Sequence, residues 1–176
     1  MSTYIALLRG INVGGKNILP MKDLLEIFEG MGFTDVDSYI QSGNVVFNSK
    51  TNCSNKTAIE LASRIDDKHG IAPIVLLLKA SELKTAIENN PYEVQDGKTL
   101  HFYFLGSKPK NPDLQRLTEA RSASEQFKLE GKIFYLHAPD GIGRSKLAAA
   151  VEQSMGVVVT ARNLNTVKKL ISMVEV

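Results

Sequence analysis

The residues best equipped for chemistry stand close to the start of the chain. Arg9, Asn12, Gly14, Gly15, Lys16 and Asn17 fall in one short polar run, Arg9-Gly10-Ile11-Asn12-Val13-Gly14-Gly15-Lys16-Asn17. Its two cations suit a phosphate or a carboxylate, because guanidinium and ammonium groups donate charge-assisted hydrogen bonds to such anions. Its glycines accept positive φ, so successive backbone N–H groups can turn inward around the same anion. A second run of this kind, Gly141-Ile142-Gly143-Arg144-Ser145-Lys146, leads into a helix. The exposed N–H groups of a helix start, with Arg144 and Lys146 beside them, make an anion site there as well. Neither run ends in the Gly-Lys-Ser/Thr of a nucleoside triphosphate loop.

Other chemistries are poorly served. His69, His101 and His137 lack the spacing of a metal site and read as structural residues, so no metal is assigned. Asp66-Asp67 ends a helix next to Lys68 and reads as a solvated pair, since catalytic carboxylates usually come from separate elements facing a cleft. Ser42 lacks the Gly-x-Ser-x-Gly elbow, and no histidine is placed by sequence as its base. The one cysteine, Cys53, excludes an intramolecular disulfide and a multi-cysteine zinc site. No catalytic residue and no cofactor follow from the sequence.

These residues need a fold to hold them. At 176 residues and 43% apolar, the chain can build one compact domain or two small subdomains. A formal charge of +2 is too mild to argue for nucleic acid or membrane on its own. The longest apolar run, Ile71 to Leu78, contains Pro73 and falls far short of the ~20 residues that span a bilayer. With no basic segment ahead of an apolar leader, and with a single thiol, the expectation is a cytoplasmic protein without membrane association.

Tyr4 to Leu8 reads as a strand. Pro20 opens a helix with Met21, Leu24, Leu25, Phe28 and Met31 on one face. Val36 to Gln41 and Asn44 to Asn48 read as strands joined through Ser42-Gly43. Ser54 or Asn55 caps a second helix ending near Gly70, and Pro73 to Leu78 reads as a fourth strand buried on both sides. Ser81 caps a connecting helix. The same order then recurs: strand Thr99 to Leu105, a helix from Asn111-Pro112-Asp113 with Leu114 and Leu117 inward, strands Gln126 to Leu129 and Lys132 to Leu136, helix Ser145 to Met155, strand Val157 to Thr160. Gly43 precedes Gly70 by 27 residues and Gly131 precedes Gly156 by 25, which supports a duplication. The predicted fold is α+β: two ferredoxin-like βαββαβ repeats in tandem, residues 1–79 and 99–160. A connecting helix and linker occupy 80–98, and a C-terminal helix, capped by Asn163 or Asn165, occupies 161–176.

In such a repeat the first two strands run parallel with the third between them. The loop after strand one and the following hairpin therefore emerge together, which sets Gln41, Ser42 and Asn44 beside Arg9, Asn12, Lys16 and Asn17. The other end of the second repeat is expected to gather Arg144 and Lys146 with Arg162 and Asn163.

The segments Ala6 to Asn17, Tyr39 to Phe47, Asn90-Pro91-Tyr92 and Thr160 to Val167 resemble a bacterial family, that of the domain of unknown function 1697, and the likeness runs over essentially the whole chain. It implies a small cytoplasmic α+β protein and transfers no activity. An aromatic residue, usually Trp, often stands in that family where this chain has Leu164, so no stacking role follows there.

Three functions remain open. The leading one is a binding protein for a phosphate-bearing ligand, nucleotide or RNA, gripped by Arg9, Lys16 and Arg162 with amides around Gly14 and Gly15. Tyr4, His101, Tyr103 and Tyr135 are candidates to stack on bases, although strand alternation serves equally to bury them. The second is an enzyme using the same cleft, which needs a general base the sequence does not reveal. The third is a protein-interaction module, which predicts an exposed apolar patch beside Ile11 and Val13. Nothing in the sequence selects a monomer or an oligomer.

Overall fold

The computed structural model describes residues 1–175. They form β1 (Ser2–Arg9), α1 (Met21–Gly30), β2 (Thr34–Tyr39), β3 (Asn44–Ser49), α2 (Asn55–His69), β4 (Ile74–Lys79) and α3 (Ala80–Glu88). After a short 3-10 turn come β5 (Leu100–Leu105), α4 (Leu114–Ala120), β6 (Gln126–Glu130), β7 (Ile133–His137), α5 (Lys146–Met155), β8 (Val159–Asn163) and α6 (Leu164–Val174). The protein is thus α+β, with two four-stranded antiparallel sheets in the orders β2-β3-β1-β4 and β6-β7-β5-β8. One compact unit comprises Met1–Thr85 with the C-terminal residues from Lys169, and the other comprises Ala86–Lys168. The last helix, expected as a closing element of its own, is divided between them.

In the first unit strand alternation puts Tyr4, Ala6 and Leu8 of β1 on one face with Val45 and Phe47 of β3. Leu24, Ile27 and Phe28 of α1 and Leu61 and Ile65 of α2 recur at helical spacing and cover that face. Phe47 anchors the layer, 5.1 Å from the Phe28 ring and 4.5 Å from that of Phe33. A reciprocal cap between Ser54 and Thr57 starts α2, and Gly70 at φ 67 ends it. The second unit repeats the scheme with Tyr103, Leu105, Phe134, Leu136 and Val159 beneath Leu117 of α4 and Leu147, Val151 and Met155 of α5.

Three expectations need correction. β4 is an edge strand whose burial alternates, and its Ile74 is exposed rather than buried on both sides. Leu114 opens α4 facing solvent, so Leu117 alone of the expected pair points inward. Ser81 lies inside α3, where the Glu82 carboxylate caps the start by accepting from the Lys79 N–H. No helix among the described residues is long and apolar enough to cross a membrane.

Candidate functional site

The end of the first sheet is built by hydrogen bonds that the sequence does not advertise. Leu8 N–H donates to the Gly43 carbonyl at 2.8 Å, fastening the β2–β3 hairpin to the end of β1. The approach is close: a Cβ on Gly43 would lie 2.6 Å from that of Leu8, and Gly43 has φ 80. Asn12 is the central clamp. Its amide donates to Leu19 O at 3.0 Å and Gln41 O at 2.9 Å, and its Oδ1 accepts from Leu19 N at 2.8 Å. Asn17 closes the base of the loop by donating to Gly10 O at 2.9 Å. Both asparagines adopt the left-handed conformation that their short polar side chains tolerate.

Beyond them Val13 and Lys16 exchange backbone hydrogen bonds of 3.2 and 2.9 Å around Gly14 and Gly15, at φ 57 and 73. Positive φ at both central residues is what a two-residue type I′ hairpin requires. The glycines therefore shape a projecting β-turn. Asn44, expected as a ligand contact, is buried and donates to Tyr39 O and Ser42 Oγ. The structure thus gathers all the sequence-selected residues of this end, with Arg9, Lys16, Gln41 and Ser42 on the outside and the asparagines holding the frame.

Val13, one of the two residues beside which the interaction reading expected an exposed apolar patch, is 65% exposed. Sequence reasoning missed the others: Ile18 and Ile40 are 61% and 52% exposed, and Ile74, opposite Arg9 in the β1–β4 register, is 37% exposed. Ile11, by contrast, is buried. Ile40 holds φ 51, a costly conformation for a β-branched residue. The segments 9–20, 39–44 and 70–75 that form this end contain Arg9 and Lys16 and no Asp or Glu. A signal was present: Ile18 and Ile40 are aliphatic residues inside polar turns, where no strand or helix period calls for them.

At the other candidate site the structure brings together only part of the expected set. Arg144 and Lys146 flank Ser145, whose Oγ caps α5 by accepting from Ala148 N at 3.0 Å. Their loop faces the turn Arg121–Glu125 across a cavity of about 660 Å³, and Ser124 ties the two by donating to Asp140 at 2.9 Å. Arg162 and Asn163 are not among the lining residues. Ala161 packs into the core beneath α5, so Arg162, next along the strand, faces the opposite side of the sheet. Burial lowers the Arg162 pKa to about 10, and its guanidinium donates to the Ala161 carbonyl. Asn163 spends its Oδ1 capping α6.

The rings considered for base stacking, Tyr4, His101, Tyr103 and Tyr135, are all buried. Burial pushes the phenols of Tyr103 and Tyr135 up to about 12, with Glu125 and Glu130 respectively adding to the effect. Among the described residues no group of three or more His, Cys, Asp or Glu could hold a metal ion.

Fold and surface together define a small α+β protein with two sheet units, one of which displays a pinned aliphatic and cationic loop end. The chain belongs to the family described as Protein of unknown function (DUF1697), whose model matches residues 1–135. Among solved structures it is similar to the conserved bacterial protein SP0830 from Streptococcus pneumoniae, at 24% identity over 98% of each chain with a TM-score of 0.71, a likeness of fold. No curated protein matches the chain.

Proposed function

We propose that this protein is a recognition module whose first unit docks a partner chain presenting acidic groups beside apolar ones. One observation carries the reading: Val13, Ile18 and Ile40 stand exposed at a single sheet end with Arg9 and Lys16, in segments free of carboxylates. Covering an exposed aliphatic side chain returns roughly 1.5–3 kcal/mol when burial is complete. The clamps made by Asn12 and Asn17 hold the loop in shape before docking, which reduces the ordering cost of association. The positive charge of Lys16 and Arg9 at this end would steer an acidic partner. Shared βαββαβ connectivity and matching strand orders support reading each sheet with its helices as a ferredoxin-like repeat. The single thiol, Cys53, supports a reducing, cytoplasmic setting.

A photo-crosslinking residue at Val13, Ile18 or Ile40, with Ile59 on α2 as an equally exposed control, tests this in cells. The expected result is one discrete protein adduct from the first three positions, absent from Ile59 and weakened by Lys16→Ala. No adduct, or the same adducts from all four, removes the reading.

A second reading keeps the same end and replaces the partner by a phosphate-bearing ligand, a nucleotide or RNA. Arg9 and Lys16 beside the Gly14-Gly15 turn favour it, and the burial of the aromatic rings leaves phosphate contacts to carry it alone. A ligand at about 100 times its dissociation constant stabilises by about 2.7 kcal/mol. That gain corresponds to a rise of roughly 5–10 °C in Tm, which Lys16→Ala should shrink.

A further inference from the structure

Elsewhere on this protein opposite charges meet and pair: Arg64 with Glu60 at 2.8 Å, Lys68 with Glu26 at 3.4 Å, Lys128 with Glu130 at 3.0 Å. The cavity of the second unit behaves differently. Arg121, Arg144 and Lys146 share its lining with Glu119, Glu125 and Asp140, and among the described residues no two of them close to ion-pair distance. Glu125 is the telling member, for it is only 5% exposed. One of its oxygens accepts from the Ser122 N–H at 2.9 Å, and no cation neutralises it. Glu125 lines the cavity, so a cation entering from outside meets a carboxylate that no cationic side chain pairs with among the described residues. The Tyr103 phenol lies close enough to Glu125 for that charge to add to the effect of burial on it.

We propose that this cavity binds a small zwitterion, its ammonium group against Glu125 and its anionic group between Arg144 and Lys146. The volume of about 660 Å³ lies within the range of roughly 300–1,000 Å³ usual for small-molecule sites. Both facing loops carry charges of both signs that do not pair, and such a lining matches a ligand that carries both signs at its two ends. The Ser124–Asp140 hydrogen bond holds those loops at a fixed separation and so sets the length of ligand that fits.

The test is an amide-resolved NMR titration of the whole protein with glycine, 4-aminobutanoate and phosphoethanolamine, whose charges are differently spaced. Inorganic phosphate and ethanolamine serve as single-charge arms. At least one zwitterion should give saturable shifts at Ser122, Glu125, Gly141 and Ser145, binding tenfold or more tightly than either single-charge arm. Glu125→Gln should weaken that zwitterion about tenfold and leave inorganic phosphate unchanged, while Arg144→Ala, at an exposed position, weakens both. No saturable shift from any zwitterion overturns the proposal. So does phosphate binding as tightly as phosphoethanolamine, or an affinity indifferent to Glu125→Gln.

Discussion

After β1 the first unit spends residues 10–20 on a loop of glycines, asparagines and exposed aliphatics before α1 begins, whereas after β5 the second unit reaches α4 through residues 106–113. That corresponding loop carries Pro109 and Pro112 and ends in the Asp113 cap, with its backbone fastened to Ser154. At the other end of each sheet the inequality reverses. Residues 50–54 suffice between β3 and α2, while residues 138–145 connect β7 to α5 and bring Asp140, Gly141, Arg144 and Ser145 to the lining of the cavity. Matching strand orders have thus been elaborated at opposite ends. The lesson is that topology decides where loops emerge together, and loop chemistry decides which of those places becomes a surface worth binding.

The largest test of that contrast compares the two hairpin glycines. A Cβ at Gly43 meets Leu8 at 2.6 Å and Ile11 at 3.0 Å, and φ there is 80. Gly43→Ala combines backbone strain with overpacking and should cost about 3–5 kcal/mol in urea unfolding. Gly131, at φ 57, has open space around it. Gly131→Ala should cost only about 1–2 kcal/mol, the left-handed penalty alone. Equal losses would show that the first hairpin is not specially fastened to β1.

Next in size is Asn12→Ala. It removes three hydrogen bonds to backbone groups of Leu19 and Gln41, a loss of about 2–3 kcal/mol at roughly 1 kcal/mol each. Ser145→Ala in the second unit deletes one cap and should cost about 1 kcal/mol. Faster amide exchange at Leu19 in Asn12→Ala, with β5 unchanged, would place the loss in the first unit's loop.

These residues mark the boundary of what the sequence disclosed. Helices and strands were legible because Leu24, Phe28, Leu61 and Ile65, or Tyr4, Ala6 and Leu8, repeat at periods that local geometry imposes. The meeting of the Arg9 loop with the Gln41 hairpin followed from strand order. The use of Asn12 as a clamp was not legible, because an asparagine that grips backbone across 29 residues looks the same in sequence as one that grips a ligand. Arg162 failed for a different reason. The sequence reading ends that strand at Thr160 and puts Arg162 beyond it, whereas β8 runs to Asn163, and the register with Phe102 sets the side that Arg162 faces.

Acid should distinguish the units more gently. His101 of β5 is buried, and burial lowers its pKa below 6.5, against a backbone hydrogen bond at Lys98 that works the other way. The unfolded chain therefore takes up the proton first. Stability is full above about pH 6.5 and is lost as pH falls from there through the lowered native value. Hydrogen exchange should show β5 losing protection in that window, and His101→Gln should flatten the change. A slope unaltered by that substitution would assign the acid response to other groups.

The smallest effect asks whether the first unit's exposed end is kept at a cost. Ile40 adopts φ 51 while more than half exposed, so its side chain gains little from the fold that strains its backbone. Ile40→Gly relieves the left-handed penalty but frees the unfolded chain, and the first term should win, for a net gain of about 0.5–1 kcal/mol. Ile59→Gly on α2, equally exposed but helical, should instead lose about 0.5–1 kcal/mol. If the Ile40 variant is more stable and its crosslinked adduct from Val13 weakens, the isoleucine serves recognition at the expense of stability. If it is no more stable, the turn has accommodated isoleucine without strain, and the strain argument for this end of the sheet falls, leaving its exposed aliphatic surface to stand alone.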